Sequence, residues 1–343
     1  MTQTPIKMPA PPKGVISSLA TGFETINARL ELILLPLALD LWLWLGPHLS
    51  VSPLMPQIEA ALRPVYAAAA ADPSGRQNLG ILQAAIEGFG KTFNIFSMLS
   101  TAPLGLPSLM AGRSPILTPL GTPQFWQVDS IPVYLLLMGV FILAGLYLAA
   151  LYLGGIAQQV RDKRLSWGLL LRQVWGDWAR LTALVAMAAL VLVVLGLPLV
   201  LVTGLASLFS TLLGLVIWVG GLTIMLWVVF YAGFAVHGML LHRRGLFAAL
   251  WDSARLVHFN QPFAAGIFVM VVAVNLVLAF VWNIPHDDNW LLLIGVGGHA
   301  LISTALVAAT FVFYQDRYRW WVEFRQALVA RAEADTRAAS RKA

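Results

Sequence analysis

The chain has 343 residues, 59% hydrophobic and only 11% charged, with a mean hydropathy of +0.78, whereas soluble domains carry roughly 25% charged residues. Long apolar runs hold the excess, which excludes a soluble globular enzyme and predicts an all-α, polytopic transmembrane helical bundle of about six spans. The net charge is +6 and there is no cysteine; thiolate nucleophiles, disulfides and thiolate metal sites are excluded, and without a basic patch on a soluble module so is nucleic-acid binding.

Residues 1–29 read as a cytoplasmic tail followed by a surface helix. Residues 1–14 are polar and proline-rich, which predicts disorder, and they lack the short apolar core and cleavage site of a secretory signal. Val15 to Arg29 is the expected surface helix. A six-span membrane domain then covers 30–315. Its first span is about Leu30 to Leu49, with Pro36 and Asp40 inside it and Trp42 and Trp44 at its outer end. Residues 50–130 form the long outer loop, with helices expected at Ile58–Ala71 and Arg76–Ser100. Pro103, Pro107, Pro115, Pro119 and Pro123 then punctuate an apolar segment too finely for a spanning helix. That segment either lies in the outer interface or caps the bundle. The remaining spans are about Ile131–Ala157, Leu181–Thr203, Phe209–Val236, Pro262–Trp282 and Leu291–Tyr314. A cytoplasmic amphipathic tail follows at 316–343.

Charge sets the expected orientation. With both termini cytoplasmic, the inner segments 1–29, 158–180, 237–260 and 315–343 hold 3, 5, 3 and 7 basic residues, 18 of the 22 in the chain. The short outer loop Asn283–Trp290 has no Lys or Arg and carries Asp287 and Asp288. This is the positive-inside pattern of a multi-pass protein of a prokaryotic cytoplasmic membrane.

Three of the inner segments resemble one another. HRRGLFAALWDSARLVHFN at 242–260 places Phe247, Leu250, Trp251, Ala254 and His258 near one helical stripe, flanked by Arg244 and Arg255, with Asp252 roughly opposite. RDKRLSWGLLLRQVWGDWARL at 161–181 repeats the form with Arg164, Trp167, Leu170 and Trp175, and the tail repeats it again with Trp320, Trp321, Phe324 and Leu328. Arginines snorkelling beside buried tryptophans give any helix on anionic lipid this look; internal duplication is the other explanation. Either way, Arg164, Trp167, Trp175, Arg244, Phe247, Trp251, Arg255, Trp320 and Trp321 are the candidate residues for docking to the lipid bilayer or to a membrane or cytoplasmic protein partner.

Ionisable groups inside spans are the other candidates, because they are expensive there and tend to be functional. Asp40, Asn275, His299 and Ser303 form the candidate intramembrane polar site; Gly295, Gly297 and Gly298 precede His299 and permit close helix approach. No cofactor is expected. A bis-histidine haem needs a second histidine at matching depth, and His237, His242, His48 and His286 are placed near the two surfaces. His286, Asp287 and Asp288 are too few and too close for a defined cation site. The chain has no phosphate-binding glycine loop with lysine, no HExxH and no GxSxG.

The stretch RRGLFAALWDSARLVHFNQPFAAG at 243–266 combines a basic turn, a small-residue apolar helix and a polar break before the next span. In this it resembles a family of uncharacterised prokaryotic six-span membrane proteins, similar to the membrane domain attached to some glycerophosphoryl diester phosphodiesterases. The resemblance covers about 131–315. No phosphodiesterase domain accompanies it, so it implies a membrane module without that hydrolytic activity, and the long proline-rich outer loop departs from the family's compact form.

The expected function is therefore non-enzymatic: an integral membrane scaffold, assembly factor or accessory component. The alternative is a transporter or permease subunit coupled to a cytoplasmic partner, with broken helices at Pro36 and at Gly196-Leu197-Pro198 marking the path. A lipid-directed membrane enzyme is the third reading and needs a convergent polar cluster at one membrane face.

Overall fold

Five helices are long and apolar enough to cross a membrane, and one of them, the helix over Trp167–Phe209, runs through Gly196-Leu197-Pro198 without the break expected there. The computed structural model describes residues 9–69, 73–101, 104–113 and 115–340. The first eight residues of the expected disordered tail, the junction at 70–72 of the two predicted loop helices, Pro103, and the last three residues lie outside that set. The helices are α1 (Val15–Asn27), α2 (Leu34–Leu45), α3 (Met55–Ala69), α4 (Pro73–Thr92), α5 (Ile131–Asp162), α6 (Trp167–Phe209), α7 (Thr211–Ala232), α8 (Ala235–His242), α9 (Leu246–Phe259), α10 (Gln261–Trp282) and α11 (Leu292–Ser340). The protein is a multi-pass helical membrane protein, with α5, α6, α7–α8, α10 and α11 as its long apolar helices.

Three of the expected elements differ in form. The first is the span at Leu30–Leu49. It is not one helix: a 3-10 turn at Leu30–Ile33 leads into the 12-residue α2, which at 1.5 Å per residue covers only about 18 Å of a roughly 30 Å core. The expected surface helix before it, α1, belongs to the bundle instead. Lys13 offers its carbonyl to Arg317, Gly22 lies against Ala305 and Ala309, Asp40 lies beside His299, and Trp44 donates to the Asp287 carbonyl. The segment from Lys13 to Trp44 thus runs antiparallel along α11 as broken pieces. Arg29 and Glu31, 3.6 Å apart, sit at the break.

The second difference is at 158–180, where a separate surface helix is expected. Trp167 to Arg180 is instead the start of α6, which continues unbroken for 43 residues, about 65 Å. No proline separates the amphipathic stretch from the apolar one, so the helix does not stop. The third is the tail, which is likewise continuous with the 49-residue α11. Of the three expected surface helices only α9 is a separate element. It is set off because Arg243 ends α8 in the left-handed conformation, φ 54°.

The core is centred on α11. Ala300, Ala305, Ala308 and Ala309 are fully buried, and so are Phe313 and Tyr314 toward the Arg317 end. Small side chains let neighbouring helices approach: Gly298 receives the Trp282 ring of α10. α6 and α7 form an antiparallel hairpin with apolar surface exposed along most of its length, as lipid-facing helices have.

Of the two readings of the proline-punctuated segment, the structure supports the cap. β1 (His48–Ser50) pairs in parallel with β2 (Phe125–Gln127), His48 opposite Phe125 and Ser50 opposite Gln127. The Asn94 side-chain oxygen accepts from Leu49 N and Phe96 N, and Arg113 bridges to Asp287 at 2.8 Å. Leu106 and Met110 are buried beneath this cover. Apolar content between the prolines is what lets the segment pack inward rather than float on the surface.

His48 is buried in the cap, its Nε2 3.3 Å from the Leu43 carbonyl and its Nδ1 unpartnered. Burial holds its pKa below the usual 6.5. The unfolded chain therefore takes up the proton first, so the His48 contribution is flat above about pH 6.5 and stability falls as pH drops below it. Thermal unfolding in detergent should show wild type losing more between pH 7.5 and pH 5 than His48→Gln; equal losses would refute a buried neutral imidazole.

Candidate functional site

Polar chemistry gathers at two ends of the buried part of α11, near Leu292 and near Arg317. At the Leu292 end, Asp40 on α2 is fully buried. Its Oδ1 accepts from the Ser108 hydroxyl and from Met110 N at 3.0 Å, and its Oδ2 accepts from Leu109 N at 3.1 Å. Ser108 in turn accepts from Ala111 N at 2.9 Å. The 108–111 turn points its donors at one carboxylate, an anion nest supplied by the cap. His299 Nδ1 stands 3.7 Å from Oδ2, too far for a hydrogen bond, and has no other partner.

The structure thus brings together two of the four candidate intramembrane residues. Ser303 is one turn from His299 and donates to the His299 carbonyl at 2.5 Å, its own helix's backbone. Asn275 is elsewhere: its amide donates to the Val271 carbonyl within α10 at 2.8 Å. The group is therefore an Asp–His pair with its carboxylate already satisfied, not a convergence of four polar residues. On the same side of the bundle Arg113, Asn283, His286 and Asp287 line an open polar pocket of about 330 Å³. Among the described residues no group of three or more His, Asp or Glu side chains is placed to hold a metal ion.

At the other end, α9 packs on the bundle through Ala249, Ser253, Leu256 and Val257, all buried. Ser253 fixes the junction: its hydroxyl donates to the Tyr231 carbonyl and accepts from Phe234 N. Of the stripe singled out in the sequence, Phe247, Trp251 and His258 lie on the opposite, exposed face, while Leu250 packs against the core. Phe247 is 74% exposed, Trp251 60% and Phe259 71%. Arg255 lies over the Trp251 ring, 5.1 Å from its centroid. Asp252 is engaged by Arg244, 3.2 Å away, and Arg244 also donates to the Tyr318 hydroxyl at 2.7 Å. That hydrogen bond and the coupling to Tyr318, then the Asp252 charge, raise the Arg244 pKa above its ordinary value. His242 stacks on Tyr318 at 4.0 Å, so the α8–α9 turn is pinned to α11.

Between α9, the start of α10 and α11 lies a cavity of about 480 Å³. Asp252, Arg255, Trp320 and Trp321, all noticed in the sequence except as a group, line it with Phe259, Phe263, Arg317 and Tyr318. Arg317 is only 2% exposed. Its guanidinium is 3.5 Å above the Phe313 ring and 5.4 Å from that of Phe263, and its Nε and Nη1 have no partner. Sequence reasoning missed it, because it is one of seven basic residues in the tail. The available signal was the Phe313–Arg317 spacing of four, which stacks the two on one helical face.

The remaining docking candidates do not join this cavity. Arg164 is exposed in the α5–α6 turn, and Trp167 and Trp175 are exposed on α6, with Trp175 against Tyr147 at 5.1 Å. Phe247 and Trp251 sit on the outward face of α9 rather than in the cavity wall. Comparison of the chain with protein-family models, with curated proteins and with solved structures finds no match.

Proposed function

We propose that the chain is a non-enzymatic integral membrane component, a scaffold or accessory subunit that presents α9 and the exposed start of α6 to a partner. The observation that carries this is the division of α9: small residues attach it to the bundle, and Phe247 and Trp251 face outward, where apolar rings otherwise gain nothing from the fold. The positive-inside charge pattern supports a cytoplasmic position for that face, with both termini on the same side, in a prokaryotic cytoplasmic membrane.

The test is photo-crosslinking in native membranes from positions 247 and 251, followed by mass spectrometry. A stoichiometric protein crosslinked at both positions, and lost in Phe247→Ser/Trp251→Ser, supports the proposal. Crosslinks to lipid alone would refute it.

One observation favours a second reading, a permease subunit: the buried Asp40–His299 pair stands where a broken helix meets α11. Three donors hold the Asp40 carboxylate, which opposes proton release during a cycle. An ATPase captured at 237–260 would move the balance to the permease.

A further inference from the structure

We infer that the cavity between α9, α10 and α11 is a binding site for one anionic phospholipid, its phosphate held by Arg317 and Arg255 and its upper chains lying on Phe259, Phe263 and Trp321. The inference stands whether the chain is a scaffold or a permease subunit.

Arg317 is the starting point. A guanidinium is always charged and presents five N–H donors. Ring faces at Phe313 and Phe263 attract its charge but take none of the in-plane donors. Its Nη2 reaches only the Lys13 carbonyl, at a long 3.4 Å, and no carboxylate of the described residues lies within 4 Å. Burying a cation this deeply with two idle nitrogens costs free energy, which an acceptor carrying charge in the cavity would offset. A phosphate oxygen meets that need, and the fork of a guanidinium suits it.

The cavity's other walls choose among phosphates. They are mainly aromatic and apolar, so a free anion would leave most of them in contact with nothing. Asp252 is the one acidic residue in the lining, and Arg244 occupies it. The lining then offers Arg255 and Arg317 against a single, already paired carboxylate. That balance favours a headgroup with net negative charge over a zwitterion whose ammonium would face two arginines. Depth agrees: the cavity opens at the start of α10, where the apolar span begins, beside Trp320 and Trp321 at the level such rings take in a bilayer. Trp320 Nε1, buried and unpartnered, supplies a further donor.

The full chain, reconstituted in nanodiscs of equal parts phosphatidylglycerol and phosphatidylcholine and re-extracted in mild detergent, is examined by native mass spectrometry. The expected result is one phosphatidylglycerol retained per chain in preference to phosphatidylcholine, undiminished by excess inorganic phosphate. Arg317→Gln should lower that retention about tenfold. Arg255→Gln, a change at an exposed position that spares the core, should lower it less. Equal retention of the two lipids by wild type would overturn the inference without any variant. So would undiminished retention in both variants, or release by phosphate, which would identify a site for the free anion. If residues 2–8 fill the cavity, wild type retains no lipid and their deletion creates the retention; that result also overturns it.

Discussion

Asp40→Asn is expected to loosen the cap over the Leu292 end of the bundle. The carboxylate takes three donors from Ser108, Leu109 and Met110, all charge-assisted. An amide offers one acceptor atom and turns its own N–H₂ toward donors that are already pointing inward. Two of those donors are backbone N–H groups with no alternative partner in a buried turn. The expected loss is roughly 2–4 kcal/mol. It should be read as lower thermal stability in detergent and as faster tryptic cleavage at Arg113, whose bridge to Asp287 holds the same turn. His299→Gln is the companion variant. At 3.7 Å without a hydrogen bond, His299 contributes little to the nest, and its replacement should cost less than about 1 kcal/mol. Equal damage from the two variants would mean that Asp40 and His299 act as a unit, and would count against a purely structural carboxylate.

Gly22→Leu is expected to detach α1 from α11. A Cβ built on Gly22 would stand 2.7 Å from the Ala305 carbonyl oxygen and 2.7 Å from the Ala309 Cα. Both are backbone atoms of a long, well-packed helix and cannot step aside as a flexible side chain can. Even Gly22→Ala forces the helices apart, at about 1–3 kcal/mol; leucine adds bulk that no rotamer places outside the contact. A cysteine introduced in α1 in place of Ser18 should then react with a membrane-permeant maleimide when combined with Gly22→Leu, and be protected when Gly22 is retained. Ser18 is buried in the packed α1. Unchanged protection would show that α1 does not depend on the close approach.

The apolar runs made most of the bundle legible. α5, α7, α10 and the first half of α11 begin or end within a few residues of the expected spans, because a lipid-facing helix must be apolar all round and nothing else in the chain is. α1 was not legible for the opposite reason. It carries Ser18, Thr25 and Glu24 and lacks a run of twenty apolar residues, so its sequence suits an interface; what places it in the bundle is a glycine facing two alanines nearly three hundred residues away. A shorter separation in sequence, 68 to 70 residues, hid the Asp40 nest. Asp40 could be noticed as an acid among apolar residues, but the turn that satisfies it lies beyond two helices of the outer loop. On α9, periodicity found the stripe of Phe247 and Trp251 but could not say which side faces protein. The small side, Ala249 and Ser253, is the packed one, because close approach needs small residues and exposed aromatic rings do not prevent it.

The contact between Gly22 and Ala305 has a consequence for the order in which the chain matures. α1 leaves the ribosome almost three hundred residues before the stretch of α11 that it packs against. At the usual pace of synthesis the interval is on the order of tens of seconds. Throughout it, α1 has no groove to enter, and Asp40 has the cap turn at 108–111 but no His299 beside it. α1 therefore cannot settle when it is made; it waits at the edge of the bilayer until α11 arrives. A chain cut short before α11 should leave α1 open to membrane proteases and chaperones, so the close contact at Gly22 can form only once α11 has been made.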